Sequence, residues 1–104
     1  MLLTSTEVLP DREISETLGL VQGQVVKAKH IGKDIMAGFK NIIGGEVKGY
    51  TEMLSEARQI ATDRMIEEAK KLGADAIIGV RYGSSEAMEG ATEMLAYGTA
   101  VKLK

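Results

Sequence analysis

GYTEMLSEARQIATDRMIEEAKKLGA, from Gly49 to Ala74, carries the clearest periodicity in the chain. Tyr50, Met53, Leu54, Ala57, Ile60, Ala61, Met65 and Leu72 fall on one stripe at 100° per residue. Glu52, Glu56, Gln59, Asp63, Glu67 and Lys70 lie opposite. The spacing predicts a long amphipathic helix ending at Gly73, and such a helix must bury its stripe against a second layer. Ile66 is apolar but lies away from the stripe, which makes it a candidate for contact with another subunit.

The flanks supply that layer. ADAIIGVRYGS (Ala74–Ser84) reads as a strand, with Ala76, Ile78, Val80 and Tyr82 on one face and Ile77, Gly79 and Arg81 on the other. SEAMEGA (Ser85–Ala91) reads as a polar connection, and TEMLAYGTAVKLK (Thr92–Lys104) as a strand that closes a hairpin. Leu95, Tyr97, Val101 and Leu103 share one face of it. Met94, Ala96, Gly98 and Ala100 share the other, whose small side chains predict close packing of another element.

On the N-terminal side, EISETLGLVQGQVVKAKH (Glu13–His30) favours a strand. Its alternation changes phase between Leu20 and Val25, which predicts a bulge or strong bend at Gly23. Ile31, Ile35, Phe39 and Ile42 recur at helical spacing, predicting a shorter helix over Ile31–Ile43 with its exit at Gly44. Pro10, the only proline, marks a turn after the N-terminal segment LLTST. The expectation is a single α+β domain, 1–104, in two layers: an antiparallel sheet covered by one long helix plus a shorter helix.

Composition narrows the function classes. The 13 Lys and Arg are outnumbered by 15 Asp and Glu, which argues against nucleic-acid binding. Without cysteine, disulfides, zinc-thiolate centres and thiol nucleophiles are excluded. No apolar run reaches the ~18–20 residues of a membrane span, and MLLTSTEVLPDRE lacks the basic start of a signal peptide. A cytoplasmic protein with no membrane partner is expected. Aromatic residues are scarce and glycine numbers 12, a balance that favours close backbone packing, including packing between subunits.

Several stretches resemble chemical sites. Gly44 to Thr51 is one residue from a phosphate loop, but Tyr50 stands where the lysine is required and a helical pattern precedes it, so a turn is predicted. An anion site at the N-terminus of the long helix remains open. His30 and Asp34, four residues apart, would share a helix face and are the candidate metal ligands. As a helix start, the same pair needs no metal. The i,i+4 pairs Glu52/Glu56 and Asp63/Glu67 lie opposite the apolar stripe and read as a solvated face. With one histidine and no G-x-S-x-G elbow, the chain has no catalytic constellation, which predicts a protein that is not an enzyme.

GLVQG (Gly19–Gly23), DIMAGFKNIIGG (Asp34–Gly45), Tyr50, EAR (Glu56–Arg58), LGADAIIGV (Leu72–Val80) and GTAVKL (Gly98–Leu103) together resemble the YbjQ-like family, in order and over nearly the whole chain. The resemblance implies a dodecin-like subunit, assembly into ring-shaped homopentamers, and heavy-metal binding with no established activity. The residues themselves give the metal little support, because soft metals prefer thiolates or several imidazoles. The expected protein is a homo-oligomer, pentameric by resemblance, that holds a small ligand or ion between subunits or along the ring axis; no cofactor is identified. Two alternatives stand beside it. One is a divalent heavy-metal protein using His30 and Asp34 from several subunits. The other is an interface enzyme holding a small anionic substrate with Arg58 or Arg81.

Overall fold

A computed structural model describes residues 1–28, 42–43 and 46–104. The elements are β1 (Leu2–Leu3), β2 (Ile14–Ala28), β3 (Ile42–Ile43), β4 (Glu46–Val47), α1 (Lys48–Lys71), β5 (Ala76–Met88) and β6 (Ala91–Leu103). The main sheet has the order β1-β5-β6-β2, and β3 pairs with β4 separately. α1 lies across β2 and β6, so the architecture is α+β, as expected.

The sheet is mixed rather than antiparallel, because β1 runs parallel to β5 through Leu2↔Ala76 and Leu3↔Ile77. Two residues are too short a run to show a strand period, which is why LLTST gave no such signal. The pairing continues beyond β1: Thr4 donates to Ile77 O at 3.0 Å, and Gly79 donates to Thr6 O at 2.8 Å.

The helix is 24 residues long. Its C-terminus is a double turn-off at Gly73: Gly73 N–H reaches Lys70 O and Ala74 N–H reaches Ala69 O, both at 3.0 Å. Gly73 has φ +78°, which only glycine adopts without a Cβ penalty. The buried row is Met53, Ala57, Ala61, Met65 and Ala69, with Thr62 beside it. Three alanines in that row bring the helix axis close to the sheet. Ile66 packs half-buried against the same core, so the face turned to the sheet is wider than the stripe suggested.

The small face of β6 is the one the helix covers. Met94, Ala96, Gly98 and Ala100 are buried, as the expectation of close packing required. Opposite them on β2 stand Val25, Gly23, Val21 and Gly19. No bulge lies at Gly23, where the register is unbroken; the breaks lie between Ile14 and Glu16 and between Thr17 and Gly19. Gly23 is instead the point of closest approach. A Cβ there would run into the Ala61 carbonyl oxygen and the Met65 amide nitrogen. Glycine in a strand signals either a bulge or a close backbone, and here it is the second.

β5 does carry a bulge. Ile78 faces Thr99 and Arg81 faces Tyr97, so Gly79 and Val80 together oppose Gly98. Gly79 has φ +60°, the left-handed position such a bulge requires. The extra residue reverses the expected faces: Ile77, Val80 and Tyr82 point to the helix, whereas Ala76, Ile78 and Arg81 point away. β5 also runs on to Met88, so residues 85–88 are strand and the hairpin turn is only Glu89–Gly90. Partner residues on β6 extend the ladder through a stretch whose own polarity reads as loop.

The shorter helix expected over Ile31–Ile43 falls outside the described residues as far as 41. At Ile42–Ile43 the backbone is extended and pairs with Glu46–Val47, so the helix does not reach Ile43. The chain measures 52 × 26 × 17 Å with a radius of gyration of 16.9 Å. A compact domain of this length would have about 13 Å. The strands account for the long axis: the 15 residues of β2 alone extend ~50 Å.

Candidate functional site

Gly23 seats the helix so tightly that a groove remains beside it. Its floor is Gln22–Gln24 on the outer edge of β2; its wall is Arg64, Glu67, Glu68 and Lys71 on α1. The volume is about 250 Å³. A second hollow of about 260 Å³ adjoins it at Leu20–Gln22 and Glu68. Arg64 Nη1 crosses the groove and donates to Gln24 O at 2.6 Å. The wall offers two cations and two carboxylates, and the floor offers main-chain groups of Gln22–Gln24. This is a polar groove. It contains no nucleophile paired with a base.

The sequence candidates do not converge on the groove. His30 and Asp34 lie outside the described residues. Among the described residues, no three His, Cys, Asp or Glu side chains come together as a metal site, so these residues do not fit a heavy metal within one subunit. Of the phosphate-loop stretch, Gly44 and Gly45 lie outside the described residues; the helix begins at Lys48, so Gly49 and Tyr50, the latter in place of the required lysine, lie in its first turn, and the Thr51 hydroxyl donates to Val47 O at 3.4 Å. The antiparallel pair β3–β4 precedes it. At the helix N-terminus Val47 supplies no side-chain cap.

The carboxylate pairs are a solvated face. Glu56 takes Lys27 Nζ at 3.0 Å, Asp63 accepts from Gln59 at 2.9 Å, and Glu52 and Glu67 are exposed. Arg58 is exposed. Arg81 Nη1 donates to Ser5 O at 2.8 Å and Val80 O at 3.0 Å, so its guanidinium fastens the N-terminal segment to β5. Arg64 and Lys71, which do line a groove, drew no attention in the sequence. They are 40 to 49 residues from Gln22 and Gln24 and meet them only through the docking of α1.

One polar contact ties the helix to β5. The Thr62 hydroxyl donates to Arg58 O at 2.7 Å and lies 2.9 Å from the Tyr82 hydroxyl. Its single proton being used, Thr62 accepts and Tyr82 donates. Tyr82→Phe is expected to lower stability by about 1 kcal/mol, read as a small fall in the urea midpoint. No change at all would mean that water replaces the bond. No helix among the described residues is long and apolar enough to cross a membrane.

The chain is similar to known proteins over its whole length. A family described as "Putative heavy-metal-binding" matches residues 1–104. A UPF0145 protein of Thermotoga petrophila is 64% identical over 104 residues, covering 100% of this chain and 98% of its own. One from Archaeoglobus fulgidus is 60% identical over 104 residues, covering 100% and 96%. A crystal structure of a DUF74-family protein of unknown function from Pediococcus pentosaceus superposes with a TM-score of 0.65 at 17% identity, covering 100% of this chain and 98% of that one; it supports the fold alone. With its family pattern running from the first residue to the last, the chain belongs to the YbjQ-like family.

Proposed function

We propose that the protein works as a cytoplasmic homo-oligomer, a ring of five dodecin-like subunits, and that it binds a small ligand or ion between subunits. The observation that carries this reading is the surface of the isolated subunit. Its accessible area is 6759 Å². A compact monomer of this mass exposes about 5,700 Å². The excess of roughly 1,000 Å² is on the scale of the ~800 Å² that each partner contributes to a standard interface. The sheet face away from the helix also leaves Leu20 70%, Val26 53% and Tyr97 38% exposed. The resemblance noted in the sequence implies the same assembly, and the family description names no reaction.

Native mass spectrometry of untagged protein tests the reading. The expected spectrum is a pentamer at micromolar concentration, with any retained ligand visible as added mass. A monomer under those conditions would overturn it.

The family description favours a second reading, a divalent heavy-metal protein. Its site would draw His30 and Asp34 from several subunits, because one subunit holds a single histidine and no thiolate. Calorimetry with zinc, nickel and copper on wild type and His30→Ala separates the two. Heat lost in the variant supports a metal site, and equal, negligible heats remove it.

A further inference from the structure

We propose that the outer edge of β2 receives strand β5 of a second copy of this chain as a parallel neighbour, so that the groove beside α1 is completed by the partner. The proposal rests on the homo-oligomer reading above and specifies its contact. Among the described residues, nothing pairs with the outer edge of β2 along its 15 residues, or with the edge of β5 away from β6 beyond Val80. Soluble proteins blunt such edges with proline, charge or a covering element. Leu18 to Val26, LGLVQGQVV, has neither proline nor charge. Arg81–Met88 is exposed throughout, an unusual state for a strand.

The two edges complement each other in direction and in hydrogen-bonding parity. β2 and β5 are both antiparallel to β6, so they point the same way on opposite sides of one sheet. A rotation that repeats the subunit about an axis along the strands therefore presents β5 parallel to β2, and such a head-to-tail contact gives a ring where the rotation closes. On each strand, a residue's N–H and C=O project to the same side. Gln24 O accepts from Arg64, away from β6, so Leu20, Gln22, Gln24 and Val26 turn their main-chain groups outward. Val101 O faces the β5 side, where Asp75 N–H donates to it at 2.9 Å. By alternation Tyr97 does too, so its partner Arg81 bonds inward while Tyr82, Ser84 and Glu86 turn outward. Each edge thus offers alternating donors and acceptors, with no partner for them among the described residues except at Gln24 O.

Proline substitutions at outward positions test this without removing any ladder bond within the subunit. In Gln24→Pro and Ser84→Pro, each protein is expected to be monomeric by native mass spectrometry while retaining a cooperative melt. An equimolar mixture of the two is expected to give a 1:1 heterodimer and nothing larger, because each variant keeps the edge that the other has lost. As a fold-neutral check, Gln22→Cys with Ser85→Cys places the only two thiols on exposed positions of the sheet face away from the helix. A short bismaleimide should then yield a covalent ladder of subunits. A wild-type monomer would overturn the assembly and this contact together. A wild-type oligomer whose two proline variants stay assembled, or whose cysteine variant gives no ladder, would overturn the contact alone. A monomeric Gln24→Pro beside an assembled Ser84→Pro would replace it with a symmetric β2–β2 contact.

Discussion

Gly23→Ala is expected to lower the unfolding free energy by about 3 kcal/mol or more, at or above the upper end of ordinary overpacking effects. The added methyl would collide with the Ala61 carbonyl oxygen and the Met65 amide nitrogen, and stand 2.9 Å from Arg64 Cβ. Side chains relieve overpacking by changing rotamer, but two of these three atoms belong to a helix backbone. Relief therefore requires lifting α1 from β2, which loosens the whole Ala57–Ala61–Met65 row. Gly83→Ala is the control, because a Cβ there meets nothing within 4 Å and its expected effect is within about 0.5 kcal/mol. Urea denaturation at one fixed protein concentration gives both values, because any concentration dependence is then the same for both variants. Similar midpoints for the two variants would show that α1 does not rest on Gly23.

Met65→Ala is the second large effect. Met65 is fully buried at the centre of the core, among Val21, Ile77, Val80 and Met94. Truncation removes its transfer free energy and leaves a cavity beneath a helix whose neighbours in the row are already alanines, so little can collapse inward. A loss of 2–5 kcal/mol is the usual range for such a change, roughly the upper half of which is expected here. Met65→Leu, which keeps the volume, is expected to lose less than about 1.5 kcal/mol. Thermal or urea unfolding of the pair decides it: if Ala and Leu were equally tolerated, the helix–sheet contact would be looser than the burial of Met65 implies.

Some elements were legible because their signal is local. The helix from Lys48 to Lys71 repeats its apolar stripe over six turns, and Gly73 stops it by a conformation that depends on that residue alone. The β5–β6 hairpin was readable from two β-branched runs, though its turn was placed too widely, since Ser85–Met88 is strand only because β6 lies beside it. The small face of β6 announced that something must pack there. It did not say what, because alanine and glycine record the closeness of a neighbour and not its identity.

Other features had no local signature. A bulge shifts every later side chain to the other face, and the glycines at positions 19, 23 and 79 look alike in the sequence. Their pairing partners determine which ones bulge and which admits a helix. Leu2–Leu3 is a strand only because the edge of β5 is there to receive it. The groove at Gln22, Gln24, Arg64 and Lys71 follows from the docking of α1 on Gly23, a contact between residues some 40 apart.

The sequence by itself determined the long helix, the hairpin, the exclusion of thiol chemistry and, through the combined pattern of its segments, the family. Periodicity, turn chemistry and composition are properties of neighbouring residues. Only the tertiary structure decided the parallel edge strand, the true bulges, the half-buried place of Ile66 and the groove beside β2. Each of these depends on which surfaces meet across the fold, and a strand edge is free or paired only with respect to its neighbours in space.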